Sequence, residues 1–209
     1  MSERTQQQGF VEDIIVDHEI HGVEPYMIDW WWDNMEKGYP LWCPGEHKSF
    51  VWQIAPATNG HVGALQIAEE SINFGPVRKI PIRWAHTNEV PDLPIIYEHI
   101  LVASTPTPEG KYSDQFLTHQ YEATFYGTRM RSIMHRRDGF PKEFGEAWAM
   151  HNKSEVKTFP DFLPQLYKIW QVVKDPAINV PCCLKYPYKD INKKREDWDE
   201  VKISPPEKG

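Results

Sequence analysis

The chain has 209 residues, enough for one domain that buries a core without covalent or metal staples. Its 23 basic and 30 acidic side chains leave a net charge of −7, which argues against nucleic acid or any other polyanion as partner. Three cysteines (Cys43, Cys182, Cys183) form no even framework and no C-x-x-C pair. No apolar run approaches the length of a membrane span, and the polar stretch from Met1 to Gln8 lacks an apolar signal core. The expectation is a soluble, cytoplasmic protein with no membrane partner.

Residues 1–9 read as a disordered N-terminus and 190–209 as a charged tail, with one domain over 10–189 between them. Phe10 to Ile20 alternates apolar and acidic residues and suits an edge strand. Pro25 fits the first position of a helix that Gly38 and Pro40 close. Met27, Trp30, Trp31 and Met35 fall at helical spacing there, so the tryptophan run reads as core or pocket wall. Strands are predicted at 48–54 and 61–72, joined by a two-residue turn at Asn59-Gly60. Further strands are predicted at 79–86, 95–104, 115–125 and 128–135, with turns at Pro106-Pro108-Gly110 and Tyr126-Gly127. A long helix starts near Pro141, and Pro160 kinks or breaks it before the helical pattern resumes over 162–173. The order predicts an α+β fold in which a curved antiparallel sheet wraps a long C-terminal helix.

Within that helix, His151 and Glu155 stand four residues apart and therefore on one face. The apolar stripe of Phe144, Ala147, Trp148, Phe159 and Phe162 runs straight through them. A carboxylate facing a core is costly unless it is paired or coordinates something. In the hairpin, a two-residue loop would set Thr58 against His61, His47 against Ile72 and Glu70 against Ser49. His47, Ser49, Glu70 and Ile72 would then share one face, with His47 and Glu70 as diagonal neighbours. Glu69 would face the other way, and it replaces Glu70 if a bulge near Pro56 shifts the strand by one residue. Two histidines and two carboxylates form a donor set for zinc, and iron or manganese could use it too. The alternative is a strand-end histidine, a solvated strand glutamate and a surface helix pair.

Three stretches resemble the 2,4-diacetylphloroglucinol hydrolase family, which includes phloretin hydrolase. They are Gly22-Val23 through Met27-Ile28-Asp29-Trp30-Trp31-Trp32 with Tyr39-Pro40-Leu41-Trp42-Cys43-Pro44-Gly45-Glu46-His47, then Glu70-Ser71-Ile72, then His151-x-x-x-Glu155 followed by Phe162-Leu163-Pro164-Gln165-Leu166-Tyr167. The resemblance covers roughly residues 18–170. It implies a Bet v 1-like helix-grip fold, a Zn2+ ion held by His47, Glu70, His151 and Glu155, and a homodimer. Tyr39, eight residues before the first histidine, matches a substrate-contacting tyrosine of the family. Phe50 stands where the family has an asparagine, and the additional N-terminal region of the longer members is not matched.

The implied activity is hydrolysis of a carbon–carbon bond between a phloroglucinol-like ring and an acyl group, or of a related β-diketone. A metal would polarise the acyl carbonyl and activate water, and an acid would protonate the ring carbon. His119 and Tyr39 are the candidate catalytic residues. Two alternatives keep the fold and differ in function. One is a polyketide cyclase or decarboxylase-type enzyme, and the other a non-catalytic carrier of a hydrophobic small molecule. A carrier has no use for two buried carboxylates.

Overall fold

The computed structural model describes residues 13–56, 61–90, 92–106, 112–135 and 142–174. The Asn59-Gly60 turn, Pro108, Gly110, Pro141, the N-terminal residues 1–9 and the tail 190–209 lie outside them. Seven antiparallel strands form one sheet: β1 (Ile14–His21), β2 (His47–Ile54), β3 (Leu65–Glu70), β4 (Arg78–Trp84), β5 (His99–Pro106), β6 (Tyr112–Thr124) and β7 (Gly127–Met134). Their spatial order is β1-β7-β6-β5-β4-β3-β2, so the first two strands of the chain form the two edges. The helices are α1 (Pro25–Asp33), α2 (Lys142–Lys157) and α3 (Phe159–Lys174). This is the expected α+β architecture, a curved antiparallel sheet with C-terminal helices.

The punctuation residues account for the helix ends. Pro25 occupies the first turn of α1, where its missing N–H costs nothing. The helix stops at Asp33 instead of running on to Gly38. Asn34 leaves helical geometry at φ −136° and its amide Nδ2 donates to the Trp30 carbonyl at 2.8 Å, a local bond that competes with helix propagation. Two 3₁₀ turns follow, Met35–Lys37 and Tyr39–Leu41, and the second presents Tyr39. The predicted long helix divides into α2 and α3 at Thr158, two residues before Pro160. Near the start of α2, Gly145 lets the helix approach β1, since a Cβ there would lie 2.3 Å from Ile14 Cδ1.

The β2–β3 register corrects the predicted hairpin. The strands pair Ile54 with Leu65, as the predicted register has it, but slip by one residue between Ile54 and Trp52, and β3 ends at Glu70, before a 3₁₀ turn over Ile72–Phe74. His47 pairs with Glu70, not Ile72, and Ser49 pairs with Glu69, not Glu70. Lys48 is the extra residue of a bulge between these pairs. Because side chains alternate, the bulge turns His47 onto the inner face while Ser49 stays outside. Ser49 Oγ donates to Glu69 Oε2 at 2.8 Å on that outer face, where Lys79 Nζ also lies 3.3 Å from Glu69 Oε1.

The main core gathers Trp31, Trp32, Trp42, Trp84 and Phe159 around the inner side of the sheet. The tryptophan run of α1 is packing, as predicted, and Trp32 also forms pocket wall. Of the units into which the chain divides, one ends at Lys168, and the one from Ile169 is described only through the end of α3.

Candidate metal centre

Inside the unit through Lys168 lies a cavity of about 420 Å³, within the usual range for a small-molecule site. Its wall is mostly apolar, with Met35, Ile80, Ile82, Leu117 and Trp148 among the lining residues. Glu70, His119, His151, Glu155, Tyr39 and Gln66 supply polar groups to it.

Glu70, His151 and Glu155 line this wall, and His47, the fourth residue singled out as a ligand, lies beside them. His47 Nε2 lies 3.3 Å from His151 Nε2 and 3.6 Å from Glu155 Oε2. His151 Nε2 is 3.6 Å from Glu70 Oε2 and 3.7 Å from Glu155 Oε2. The bulge at Lys48 and the four-residue spacing on α2 produce this meeting. Zinc bonds of about 2.0–2.1 Å in a tetrahedron separate the ligand atoms by about 3.3 Å. The four separations above run from 3.3 to 3.7 Å, and His47, Glu70 and His151 bring one ligand atom each within 4.8 Å of one another. The residues therefore fit a divalent metal.

Electrostatics point the same way. Burial pushes the Glu155 carboxyl up to about 7 and raises Glu70 as well. Burial, with the neighbouring His151 charge, drives His47 down to about 3. Burial also opposes a charge on His151, but contacts with Cys43, Glu155, Glu70 and Glu46 outweigh it and hold this imidazole up at about 10. One shared imidazolium proton is a meagre counter-charge for such a cluster, and a divalent cation could replace it.

A second layer of contacts was not anticipated from the sequence. His151 Nδ1 lies 2.9 Å from Glu46 Oε2, and that oxygen also accepts the Asn73 main-chain N–H at 2.6 Å. Cys43, Glu46 and the same imidazole form a second compact group. Asn152 Nδ2 donates to Glu155 Oε1 at 2.7 Å, while Asn152 Oδ1 faces His18 Nε2 at 2.9 Å. Adjacency to His47 and His151 was the only available signal for Glu46 and Asn152. Nothing marked His18.

Tyr39 is 1% exposed; its hydroxyl donates to Glu70 Oε1 and its ring stacks on His47 with centroids 4.3 Å apart. Burial and the Glu70 charge raise its pKa well above the ordinary tyrosine value, so it keeps its proton. His119 stacks on Trp32 and places Nδ1 2.8 Å from Ser132 Oγ. Burial drives its pKa down to about 3. It is thus neutral at physiological pH, and the proton-donor role expected of it requires a ligand that brings negative charge beside it. Phe50 stands 5.0 Å from the Tyr39 ring, centroid to centroid, giving an apolar surface where an amide was sought.

The fold is of the Bet v 1/START-like helix-grip type. Solved structures of similar shape include major latex-like protein 151 from Panax ginseng (10% identity, 73% of this chain and 97% of that one, TM-score 0.53). A START superfamily protein from Mycobacterium smegmatis is similar at 12% identity over 76% and 99% of the two chains, with a TM-score of 0.50. A Thermus thermophilus protein matches at 12% identity over 74% and 98%, with a TM-score of 0.52. These identities speak to the fold alone. No family model and no curated sequence matches the chain. Among the described residues, no helix is long and apolar enough to cross a membrane.

Proposed function

We propose that the protein is a metal-dependent hydrolase that cleaves the carbon–carbon bond between a phenolic ring and an acyl group, or a related β-diketone. The observation that carries this reading is the meeting of His47 with three residues that line an apolar cavity, Glu70, His151 and Glu155. A passive carrier gains nothing from two buried carboxylates there.

In such a reaction water adds to the acyl carbon, the bond to the ring breaks, and its electron pair stays on the ring carbon, which takes a proton. The products are a carboxylic acid and the deacylated ring. The four residues would hold zinc, iron or manganese, and a divalent ion bound there would polarise the acyl carbonyl and acidify water. The chain's own groups do the rest. Tyr39 fixes Glu70 through its hydroxyl, Asn152 fixes Glu155, and Glu46 fixes His151. The apolar wall excludes bulk water and strengthens every polar contact inside. His119, anchored by Ser132, would hold a ring hydroxyl, and a phenolate formed beside it would raise its proton affinity.

The test is elemental analysis of purified protein beside His151→Ala, followed by incubation with acylphloroglucinols and assay of the released carboxylic acid. Equal metal in both proteins ends the proposal. Metal lost in the variant without acid release by wild type favours a second reading, a polyketide cyclase or decarboxylase-type enzyme. The apolar Phe50 beside Tyr39 favours that reading. A metal-free protein that binds phenols is a carrier.

A further inference from the structure

A chain of four polar contacts links Glu155 to His119, two residues that line the cavity. Asn152 Nδ2 donates to Glu155 Oε1 at 2.7 Å, and the other end of that amide, Oδ1, faces His18 Nε2 at 2.9 Å. His18 Nε2 lies 3.5 Å from Ser132 Oγ, which in turn lies 2.8 Å from His119 Nδ1. Strand pairing builds the second half. Ser132 is the partner of His119 between β6 and β7, and His18 lies on β1 two residues beyond Val16, the partner of Ser132 there. Asn152, Ser132 and His119 are buried and His18 is half-buried.

Donor and acceptor chemistry fixes where the protons sit. A carboxylate only accepts, so the Asn152 amide turns its NH2 toward Glu155 and its carbonyl toward His18. A carbonyl only accepts in its turn, so His18 Nε2 carries hydrogen. Burial lowers the pKa of both His18 and His119, so each ring is neutral at physiological pH and holds one proton. The His18 proton is therefore on Nε2, close to Asn152 Oδ1 and at longer range to Ser132 Oγ. The Ser132 hydroxyl cannot donate to a nitrogen that already bears hydrogen, and among the described residues its oxygen has no hydrogen-bond partner besides His18 and His119. It donates to His119 Nδ1, which leaves the proton of that ring on Nε2.

We propose that His18 is a positioning residue, which through Ser132 fixes His119 as the tautomer with hydrogen on Nε2, the nitrogen left to meet a ligand as a donor. The consequence for catalysis rests on the role given to His119 above, since a ring that delivers a proton to the cavity must hold it on that nitrogen. The tautomer itself does not depend on the substrate. The same contacts tie it to Glu155, so a residue of the candidate metal centre helps to aim the candidate acid.

Long-range proton–nitrogen correlation spectra of the purified full-length protein, with nitrogen-labelled histidine and in mildly alkaline buffer, read which ring nitrogen carries hydrogen. His119→Gln and His18→Gln assign the two rings by loss of signal. Wild type is expected to carry hydrogen on Nε2 of both. In His18→Phe the Ser132 hydroxyl can turn and accept from Nδ1, and the ratio of Nε2–H to Nδ1–H at His119 is expected to fall about fivefold. His18→Gln sets an amide N–H where Nε2–H stood and is expected to keep the wild-type ratio, which a role in packing alone would not require. Hydrogen on Nδ1 of either ring in wild type overturns the inference, and this measurement stands even if phenylalanine disturbs folding. An unchanged His119 ratio in folded His18→Phe overturns it as well. Either result leaves the proposed function standing, whereas missing metal or missing acid release on the same preparation counts against that function alone.

Discussion

His151 Nδ1 lies 2.9 Å from Glu46 Oε2, in a contact buried between the start of β2 and the middle of α2. The pairing fixes which nitrogen carries a proton and leaves Nε2 facing His47, Glu70 and Glu155. A carboxylate behind a ligating imidazole orients the ring and raises its basicity, and losing one typically weakens metal binding 10–100-fold. Glu46→Gln is therefore expected to lower metal affinity by about that factor while keeping the fold. Competition with a chelator of known affinity reads this directly. An unchanged affinity would reduce Glu46 to a cap for the Asn73 N–H.

Tyr39 makes two separable contacts, a hydroxyl bond to Glu70 and a ring stack on His47. Phenylalanine removes the first and keeps the second. Tyr39→Phe should leave secondary structure intact and destabilise the fold by about 1–3 kcal/mol, because a buried carboxylate loses its donor. Metal affinity is expected to fall several-fold as Glu70 loses its fixed orientation. Denaturant unfolding and metal titration, run side by side, check both. A fall in stability with no change in metal binding would show that Glu70 does not need Tyr39 to reach the ion.

The sequence was legible where local rules dominate. His151 and Glu155 are tied by helical spacing, Pro25 by its fixed φ, and the β6–β7 pair by its turn at Tyr126-Gly127. The β2–β3 register was legible only at its Ile54–Leu65 end, since two irregularities, between Trp52 and Ile54 and at Lys48, decide which side chains face inward and neither is marked in the sequence. The inner position of Glu70 was anticipated through a pairing the structure replaces. Asn152 and Glu46 show a further limit. Each matters through what surrounds it in three dimensions, and spacing along the chain conveys none of that.

Asn152 is fully buried and bridges His18 to Glu155 with both ends of its amide. Leucine has nearly its volume and neither hydrogen bond. Asn152→Leu should cost about 1–3 kcal/mol and should free Glu155 to swing, weakening metal retention. Urea unfolding measures the first effect and dialysis followed by elemental analysis the second. Full retention of metal would mean that α2 alone orients Glu155.

His119 supplies the pH dependence. Burial, with a smaller contribution from the His18 charge, drives its folded-state pKa down to about 3, against about 6.5 in an unfolded chain. Above pH 6.5 the ring is neutral in both states and contributes no pH dependence. As pH falls below 6.5 the unfolded chain takes a proton that the folded protein refuses, so stability drops at up to ~1.4 kcal/mol per pH unit. The loss continues until the folded ring titrates near pH 3. His18 and His135 are also lowered mainly by burial and add losses of the same sign. His119→Gln keeps a hydrogen-bonding group near Ser132 and removes the titration. Unfolding free energies of chelator-treated wild type and variant, compared at pH 7.5 and pH 4.5, should converge as the pH falls. Parallel pH profiles would mean that the imidazole titrates in the folded protein much as it does in water, and the neutral role given to it at the cavity wall would then be lost.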